Sequence, residues 1–412
     1  MIVLSWVVWL IAVVLLLPVL SDLASLLAML GRPPRPVPPP QMPRLLFLVP
    51  AHDEELLLGA TLASLSSLDY PRAQYETIVI ADNCTDRTAA VATAAGVRCL
   101  ERHDTSKRGK PYAIDWALSR IDLAAFDAMV IIDADCVVDR SFATAIGAAG
   151  PLRGRAAQTY IDIRNRRESA LTVLGVTFSV MRFRLMNALK RRAGLTVPFG
   201  NGLVLGMDIL RAEGWKAFSI CEDWEEYALL TARGVDIENI PNAHTYVQEA
   251  RSLRQSGSQR RRWAAGKYDV LIGCAGRLLR SRRIGIRQKL DAMAELSSPG
   301  PVVALGFALV LGTMAAALRL AALPLLLVAL ALPIVRLALY AVLALRLEQE
   351  PWPTVRALGY LPIYLLWRLM VQLSSLTMIG RSRWERTERH RDAADQAAIG
   401  DTPQSREVHA EG

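Results

Sequence analysis

The sequence predicts an α/β domain, an open parallel sheet with helices packed on it, set between apolar helices that cross a membrane. Three observations predict it. Between residues 45 and 149 short apolar runs alternate with longer stretches of helical period, the pattern of βαβ units. An acidic cluster follows the first, second and fourth of those runs. Uncharged stretches long enough to reach through a bilayer stand near both ends, and with 52% of the 412 residues hydrophobic a wholly soluble enzyme is excluded.

In chain order, residues 1–21 carry no charge. At a helical rise of about 1.5 Å per residue they reach roughly 30 Å, the thickness of a bilayer's hydrocarbon core. Nothing basic precedes them and no small-residue cleavage site precedes Asp22, so residues 1–30 read as a retained transmembrane anchor. Arg32, Arg35 and Arg44 follow, and the positive-inside bias then puts the next domain in the cytoplasm. Residues 31–44 form a linker in which proline fills seven of the eleven positions 33–43, an extended and fairly stiff spacer.

The folded domain is expected over 45–283. Residues 45–49, 76–81, 97–101 and 128–132 read as buried strands, and 54–67, 85–95, 109–121 and 139–149 as the helices that connect them. Open parallel sheets bind ligands at the carboxyl ends of their strands. Those ends carry Pro50-Ala51-His52-Asp53-Glu54-Glu55, then Asp82-Asn83-Cys84-Thr85-Asp86, then Asp133-Ala134-Asp135. Beyond them the alternation loosens: 156–163 and 202–205 read as strands, 169–190 as a helix, and 221–233 as an acid-started helix stopped by Gly234.

From 249 to 291 the chain holds twelve basic and three acidic residues. Beside membrane spans such an excess points to anionic lipid or a phosphorylated substrate, and no nucleic-acid partner is expected. Ile286, Leu290 and Met293 recur at helical spacing opposite Arg287, Lys289 and Asp291, so 284–297 is expected to lie along the membrane surface. Residues 298–380 are assigned to transmembrane or interfacial helices: 296–318 is uncharged and 320–345 carries one charge, Arg336. The stretch 357–380 is interrupted by Arg368 and Gln372 and followed by a basic, polar tail over 381–412. It is expected to be re-entrant or interfacial, with the tail cytosolic. Cys84, Cys99, Cys136, Cys221 and Cys274 lack metal-ligand spacing and read as reduced thiols.

Three clusters can carry chemistry. Asp133 and Asp135, alternate residues leaving a strand, can converge on one hard cation, Mg²⁺ or Mn²⁺; alone they are equally two acidic residues in a loop. Cys221-Glu222-Asp223-Trp224-Glu225-Glu226 offers a general base whose pKa neighbouring carboxylates raise, or simply acidic residues complementing a helix dipole. Gln259-Arg260-Arg261-Arg262-Trp263 joins guanidiniums suited to phosphate with an aromatic face suited to a sugar, or is a solvated basic helix. Lys110, at a helix start, can set a point charge near phosphate.

The order of these pieces, with Gly109-Lys110 and Gly200-Asn201-Gly202 between them, resembles the successive motifs of family 2 glycosyltransferases over about 45–266. More narrowly it resembles their membrane-embedded Q-x-x-R-W branch, which includes cellulose, hyaluronan and poly-N-acetylglucosamine synthases and several lipid glycosyltransferases. It departs in reading Ala81-Asp82 where members often carry paired Asp. The resemblance implies a GT-A fold, Rossmann-like and typical of nucleotide-diphospho-sugar transferases, and inverting transfer from a nucleotide-sugar donor such as a UDP-hexose or UDP-N-acetylhexosamine. By the same resemblance Asp53, Glu55, Asp82, Lys110, Asp133, Asp135 and Arg262 serve the donor, with Asp133 and Asp135 on the cation. Asp223 is then the base, and Gly200, Asn201, Gly202, Glu222, Gln259 and Trp263 serve the acceptor. A growing polysaccharide at the bacterial cytoplasmic membrane is the leading acceptor and a membrane lipid or lipid-linked saccharide the alternative; partner subunits stay open. A nucleotidyltransferase shares the acidic pair but has no use for the Trp-bearing basic motif, and a transporter or scaffold has none for the acidic strand ends.

Overall fold

The computed structural model describes residues 2–30, 42–320, 322–348 and 351–380. The eight-stranded sheet at its centre has the order β3-β2-β1-β4-β7-β6-β8-β5. β1 (Leu45–Ala51), β2 (Tyr75–Asp82), β3 (Arg98–Arg102) and β4 (Ala128–Ile131) are its parallel part. The alternation of side chains along β1 explains why this strand lies at the core. Leu46 and Leu48 point into one apolar cluster with Ile114 and Ala117, while Leu45, Phe47 and Val49 enter the other with Leu58, Leu62 and Phe142. Helices α2 (Leu58–Ser66), α3 (Thr88–Ala94), α4 (Lys110–Leu118) and α5 (Phe142–Ala148) fill the expected places between strands.

The second half is antiparallel where it joins the first. β7 (Leu203–Gly206) runs against β4, and β6 (Arg155–Ile163) against β7. The expected helix over 169–190 is α6 (Ala170–Ser179), a π-helical turn over Val180–Met186 and α7 (Asn187–Ala193) in succession. Ser169 caps it, with its side chain on the Thr172 N–H and the Thr172 side chain on its own N–H. Four elements of this half carry no clear sequence signal: the two-residue β5 (Val137–Val138), α8 (Met207–Glu213), β8 (Asp236–Val247) and α10 (Leu253–Arg280). β8 hides because its register with β6 slips between Thr159 and Tyr160, which pair with Ile240 and His244 and leave Pro241-Asn242-Ala243 without partners; the bulge breaks its period. α10 contains four glycines and a polar face, and α9 (Glu222–Ala232) packs beside it.

Among the described residues two helices are long and apolar enough to cross a membrane, α1 (Ile2–Leu30) and α13 (Leu323–Leu347). They share an apolar cluster with α12 (Pro301–Ala317), in which Val8, Ala12 and Leu15 meet Leu311, Ala315, Leu326 and Leu330. Asp22 of α1 accepts from Arg336 Nε at 2.7 Å and from the Tyr340 hydroxyl at 2.8 Å. The one charge in the second C-terminal apolar stretch is therefore paired. α12 is shorter than the stretch 296–318, because α11 (Ile286–Ser297) takes its first residues and meets it at an 80° bend.

One face of α11 is the reverse of the helical-wheel expectation. Asp291, expected on the polar outer face, is fully buried; it pairs with Lys190 and accepts from Ser21 Oγ at 2.7 Å. Ile286 on the apolar face is 79% exposed. The acidic residues of α11 hold the sheet domain, Glu295 through a two-pronged contact with Arg182 at 2.9 Å, and Ala292 and Leu296 are buried in one of its apolar clusters. The C-terminal stretch forms α14 (Trp352–Ala357) and α15 (Leu361–Ser375), which lie on α6 and α10. Most of the proline-rich linker and all of the polar tail lie outside the described residues.

Candidate active site

The three acidic strand ends open into one cleft of about 1610 Å³. Its first wall is the pair of loops after β1 and β2. Asp53 takes a positive φ of 53°, the turn that lets its Oδ1 accept from the Thr85 N–H at 2.6 Å. Glu55 accepts from the Arg87 N–H at 3.1 Å, and the Glu55 N–H donates back to Asp86 at 3.0 Å. Asp82 is buried and paired with Arg102 at 2.5 Å, its Oδ1 also accepting from Asn83 Nδ2. Removing one partner of such a pair strands the other's charge and costs about 3–5 kcal/mol.

The floor lies at the end of β4. Lys110, first residue of α4, reaches Asp133 Oδ1 at 2.7 Å and Glu222 Oε1 at 2.9 Å. Burial opposes its charge, but Asp133 and Glu222 outweigh burial and hold the ammonium protonated far above the usual lysine range. Asp133, Asp135 and Cys136 bring their ligand atoms within 4.8 Å of one another. Two hard carboxylates at that separation fit Mg²⁺ or Mn²⁺, whereas the Cys136 thiol donates to Asp135 at 3.1 Å. A second close group, Asp53, Cys84 and Asp86, is taken up by the turn itself.

The third wall is α9 against α10. Asp223 is half-buried at the start of α9, where burial and then the charge of Glu222 push its carboxyl up to about 7, Lys110 working the other way. Gly266 lets α10 come this close: a methyl group there would lie 2.6 Å from Cys221 Sγ and from Ile220 Cγ2. On the same stretch of α10, Gln259, Arg262 and Trp263 line the cleft; Arg262 is buried and Trp263 is 49% exposed. One turn on, Lys267 sits 4.1 Å from the centre of the Trp224 ring and donates to the Ser298 carbonyl at 2.8 Å. Burial lowers its pKa to about 8.

Asp53, Asp82, Lys110, Asp133, Asp135, Glu222, Gln259, Arg262 and Trp263 thus share one cleft, whereas Asp223, expected as the base, does not line it and stands behind its neighbour Glu222. Glu55 braces the loop beneath Asp53. Gly200, Asn201 and Gly202, expected at the acceptor, do not line the cleft. A methyl on Gly202, whose φ is +76°, would fall 1.9 Å from Thr159 Oγ1, and Asn201 Oδ1 accepts from the Asp133 and Gly202 N–H groups at 3.1 and 2.8 Å. This loop props the end of β4. Arg260, inside the basic motif, turns away to Glu249 at 2.7 Å. Arg102 and Lys267 escaped sequence reasoning, since a lone cation in a strand or a helix carries no local pattern; Lys267 follows Trp263 by one helical turn, the only hint.

A mixed sheet whose parallel strand ends carry the acidic loops, with α9 and α10 closing the cleft, is a GT-A-like fold. The model of the family described as glycosyltransferase like family 2 matches residues 43–266, and the chain belongs to that family. It is similar to the probable glycosyltransferase YdaM of Bacillus subtilis, 23% identical over 254 residues that cover 59% of this chain and 60% of that one. It is also similar to the beta-monoglucosyldiacylglycerol synthase of Synechocystis, 24% identical over 268 residues, 62% of this chain and 54% of that one. The chain thus spans between about half and three-fifths of the length of these curated relatives. Among solved structures, the mannosyltransferase PcManGT from Pyrobaculum calidifontis, in complex with GDP-Man and Mn²⁺, superposes with a TM-score of 0.56 at 18% identity over 92% of this chain and all of that one.

Proposed function

We propose that the protein transfers a sugar, with inversion, from a nucleotide-diphosphate donor to a hydroxyl of an acceptor held at the cytoplasmic face of a bacterial membrane, as a multi-pass protein of the Q-x-x-R-W kind. The observation that carries this reading is the Lys110 bridge from Asp133 to Glu222, next to Asp223, whose pKa of about 7 suits a base. It joins the wall suited to a leaving diphosphate to the wall suited to an attacking hydroxyl. In-line displacement needs both, a base on one side of the anomeric carbon and charge neutralisation on the other.

Asp133 and Asp135 hold the divalent cation, which when bound offsets the charge of the departing diphosphate. Lys110 keeps a positive charge beside Asp133. Arg262, buried in the cleft wall, meets the same diphosphate through its planar fork. The Asp53 loop receives the nucleoside, with Arg102 fixing Asp82 beneath it. Asp223 takes the proton from the acceptor hydroxyl, and Trp263 gives the acceptor an aromatic platform.

The acceptor is read as a lipid or lipid-linked saccharide. What supports this is the likeness to proteins named beta-monoglucosyldiacylglycerol synthase and the position of α10, which joins the cleft to α15. A growing polysaccharide is the second reading, favoured by Trp263 beside Gln259 and Arg262. The test is to incubate the detergent-solubilised protein with a panel of UDP- and GDP-sugars, with and without diacylglycerol, and to weigh the products. A glycosylated lipid and free nucleoside diphosphate are expected. A ladder of oligosaccharides on no lipid selects the second reading, and release of pyrophosphate overturns both.

A further inference from the structure

α10 has a second face, turned away from the cleft. A methyl on Gly257 would lie 3.9 Å from Trp367 Cζ2, and Gln372 Nε2 donates to the Tyr268 hydroxyl at 2.8 Å, so α15 runs alongside α10 in the same direction. In the seam, Arg260 is held by Glu249 at 2.7 Å and by Ser256 Oγ at 2.8 Å. Arg368 of α15 enters the same seam, within electrostatic range of Arg260 and Glu249. Its Nε is buried without a hydrogen-bond partner. The seam therefore holds two guanidiniums and one carboxylate, and that carboxylate is engaged by Arg260.

A partly buried guanidinium whose Nε has no partner and which stands beside a second guanidinium is costly, and an anion supplied from outside relieves the cost. The surroundings specify the anion. On the opposite face of α15, Ile363, Leu366, Met370 and Leu373 are 55–62% exposed, a stripe at helical spacing that suits acyl chains. Arg368 also reaches the turn between α11 and α12, where a methyl on Gly300 would lie 4.0 Å from its NH2. This is the bend that carries the chain from the surface helix α11 toward a bilayer-spanning direction. At that depth the abundant anion with several acceptor oxygens is a phospholipid phosphate, which the guanidinium fork matches.

We propose that the seam between α10 and α15 binds the headgroup phosphate of an anionic bilayer lipid, with Arg368 as its main donor and Arg260 beside it. The bound lipid pins α15 to the helix that carries Gln259, Arg262 and Trp263 on its other face. This site is separate from the one proposed for the acceptor, and its test needs no activity. The full chain, purified and stripped of lipid in neutral detergent, is given phosphatidylglycerol or phosphatidylcholine, and retained lipid is counted by native mass spectrometry alongside the thermal midpoint. Wild-type protein is expected to retain one phosphatidylglycerol and to unfold several degrees higher with it than with phosphatidylcholine. Arg368→Met abolishes both responses and, without lipid, is at least as stable as wild type. Glu249→Gln leaves Arg368 in place and frees a positive charge, and it raises phosphatidylglycerol affinity roughly fivefold. Equal responses of wild type to the two lipids, full retention by Arg368→Met, or weakened binding in Glu249→Gln each overturns the proposal. So does phosphatidylglycerol competing with a lipid acceptor in transfer, which would make the phosphate site the acceptor's own.

Discussion

Asp223 and Glu226 stand three positions apart on one helix, and burial pushes both carboxyls up to about 7. Neither lines the cleft, but Asp223 adjoins Glu222, which does and which holds Lys110, whereas Glu226 is buried and feels neither. A carboxyl whose pKa is raised on folding binds its proton more tightly in the folded state, so stability falls as pH rises from the unfolded value toward about 7. Glu226→Gln should remove its own share of that fall, raising the thermal midpoint above pH 7 while leaving turnover unchanged. Asp223→Asn should cut turnover by about 10²-fold or more with nucleotide affinity nearly intact, and the wild-type rate should climb with pH up to about 7 as Asp223 loses its proton. An active Asp223→Asn beside a dead Glu222→Gln would move the base to Glu222. At the opposite wall, Asp133→Ala and Asp135→Ala should abolish transfer and wild-type activity should require Mg²⁺ or Mn²⁺; full activity in excess EDTA contradicts this. Arg262→Ala should weaken UDP binding, and Trp263→Ala should weaken use of the acceptor while UDP binding holds, both read by calorimetry beside kinetics.

At the scale of elements, β1, β2 and β4 were legible because each is buried on both faces and is built around an apolar run, whereas β3, at the sheet's edge, is half-exposed and carries two arginines and a glutamate. The same physics hides β8, where a bulge at Pro241 and Asn242 breaks the run, and the extent of α10, of which only the basic stretch 259–263 reads as a helix while its glycines mask the rest. The acidic strand ends were legible for the same reason as the strands, since a carboxylate after an apolar run has nowhere to go but the sheet's edge. What could not be read was which of them pair. Arg102 lies 20 residues from Asp82, and nothing local joins them. The Gly200–Gly202 loop was assigned to the acceptor by the resemblance alone, whereas Gly202 is required by Thr159 beneath it. Gly266 tests how tightly α10 must dock on α9. Gly266→Ala introduces a methyl 2.6 Å from Cys221 and Ile220, and overpacking of this kind costs about 1–3 kcal/mol. It should lower turnover at least as strongly as it lowers the thermal midpoint, because the displaced helix carries Arg262 and Trp263 away from Asp223. A variant that loses stability but keeps full turnover would show that α10 docks without positioning the cleft.

For the whole molecule, the proposed membrane placement implies a definite topology that can be tested. Among the described residues α1 and α13 qualify by length and composition, and α11 with α12, bent by 80°, adds a third only if the bent pair is one span. If it is, and if α1 enters the cytoplasm, α12 leads out and α13 leads back. α15 decides the rest. Its 15 residues span about 22 Å at helical rise, short of a core of roughly 30 Å. Arg368 near its middle would cost about 2.5 kcal/mol or more at the bilayer centre. α15 instead packs along α10, which belongs to the sheet domain, and its Gln372 is bonded to Tyr268 of that helix. If the sheet domain is cytosolic, a helix tied this closely to it stays on the cytosolic side. The arginines at 381, 383, 386, 389 and 391 then stay inside, as the positive-inside bias requires. With Ser405→Cys in intact cells, a membrane-impermeant thiol reagent should leave the protein unlabelled until the membrane is permeabilised. Labelling of intact cells would mean that α15 completes a further crossing with Arg368 inside the bilayer, and the lipid-phosphate seam would then lie too deep for a headgroup.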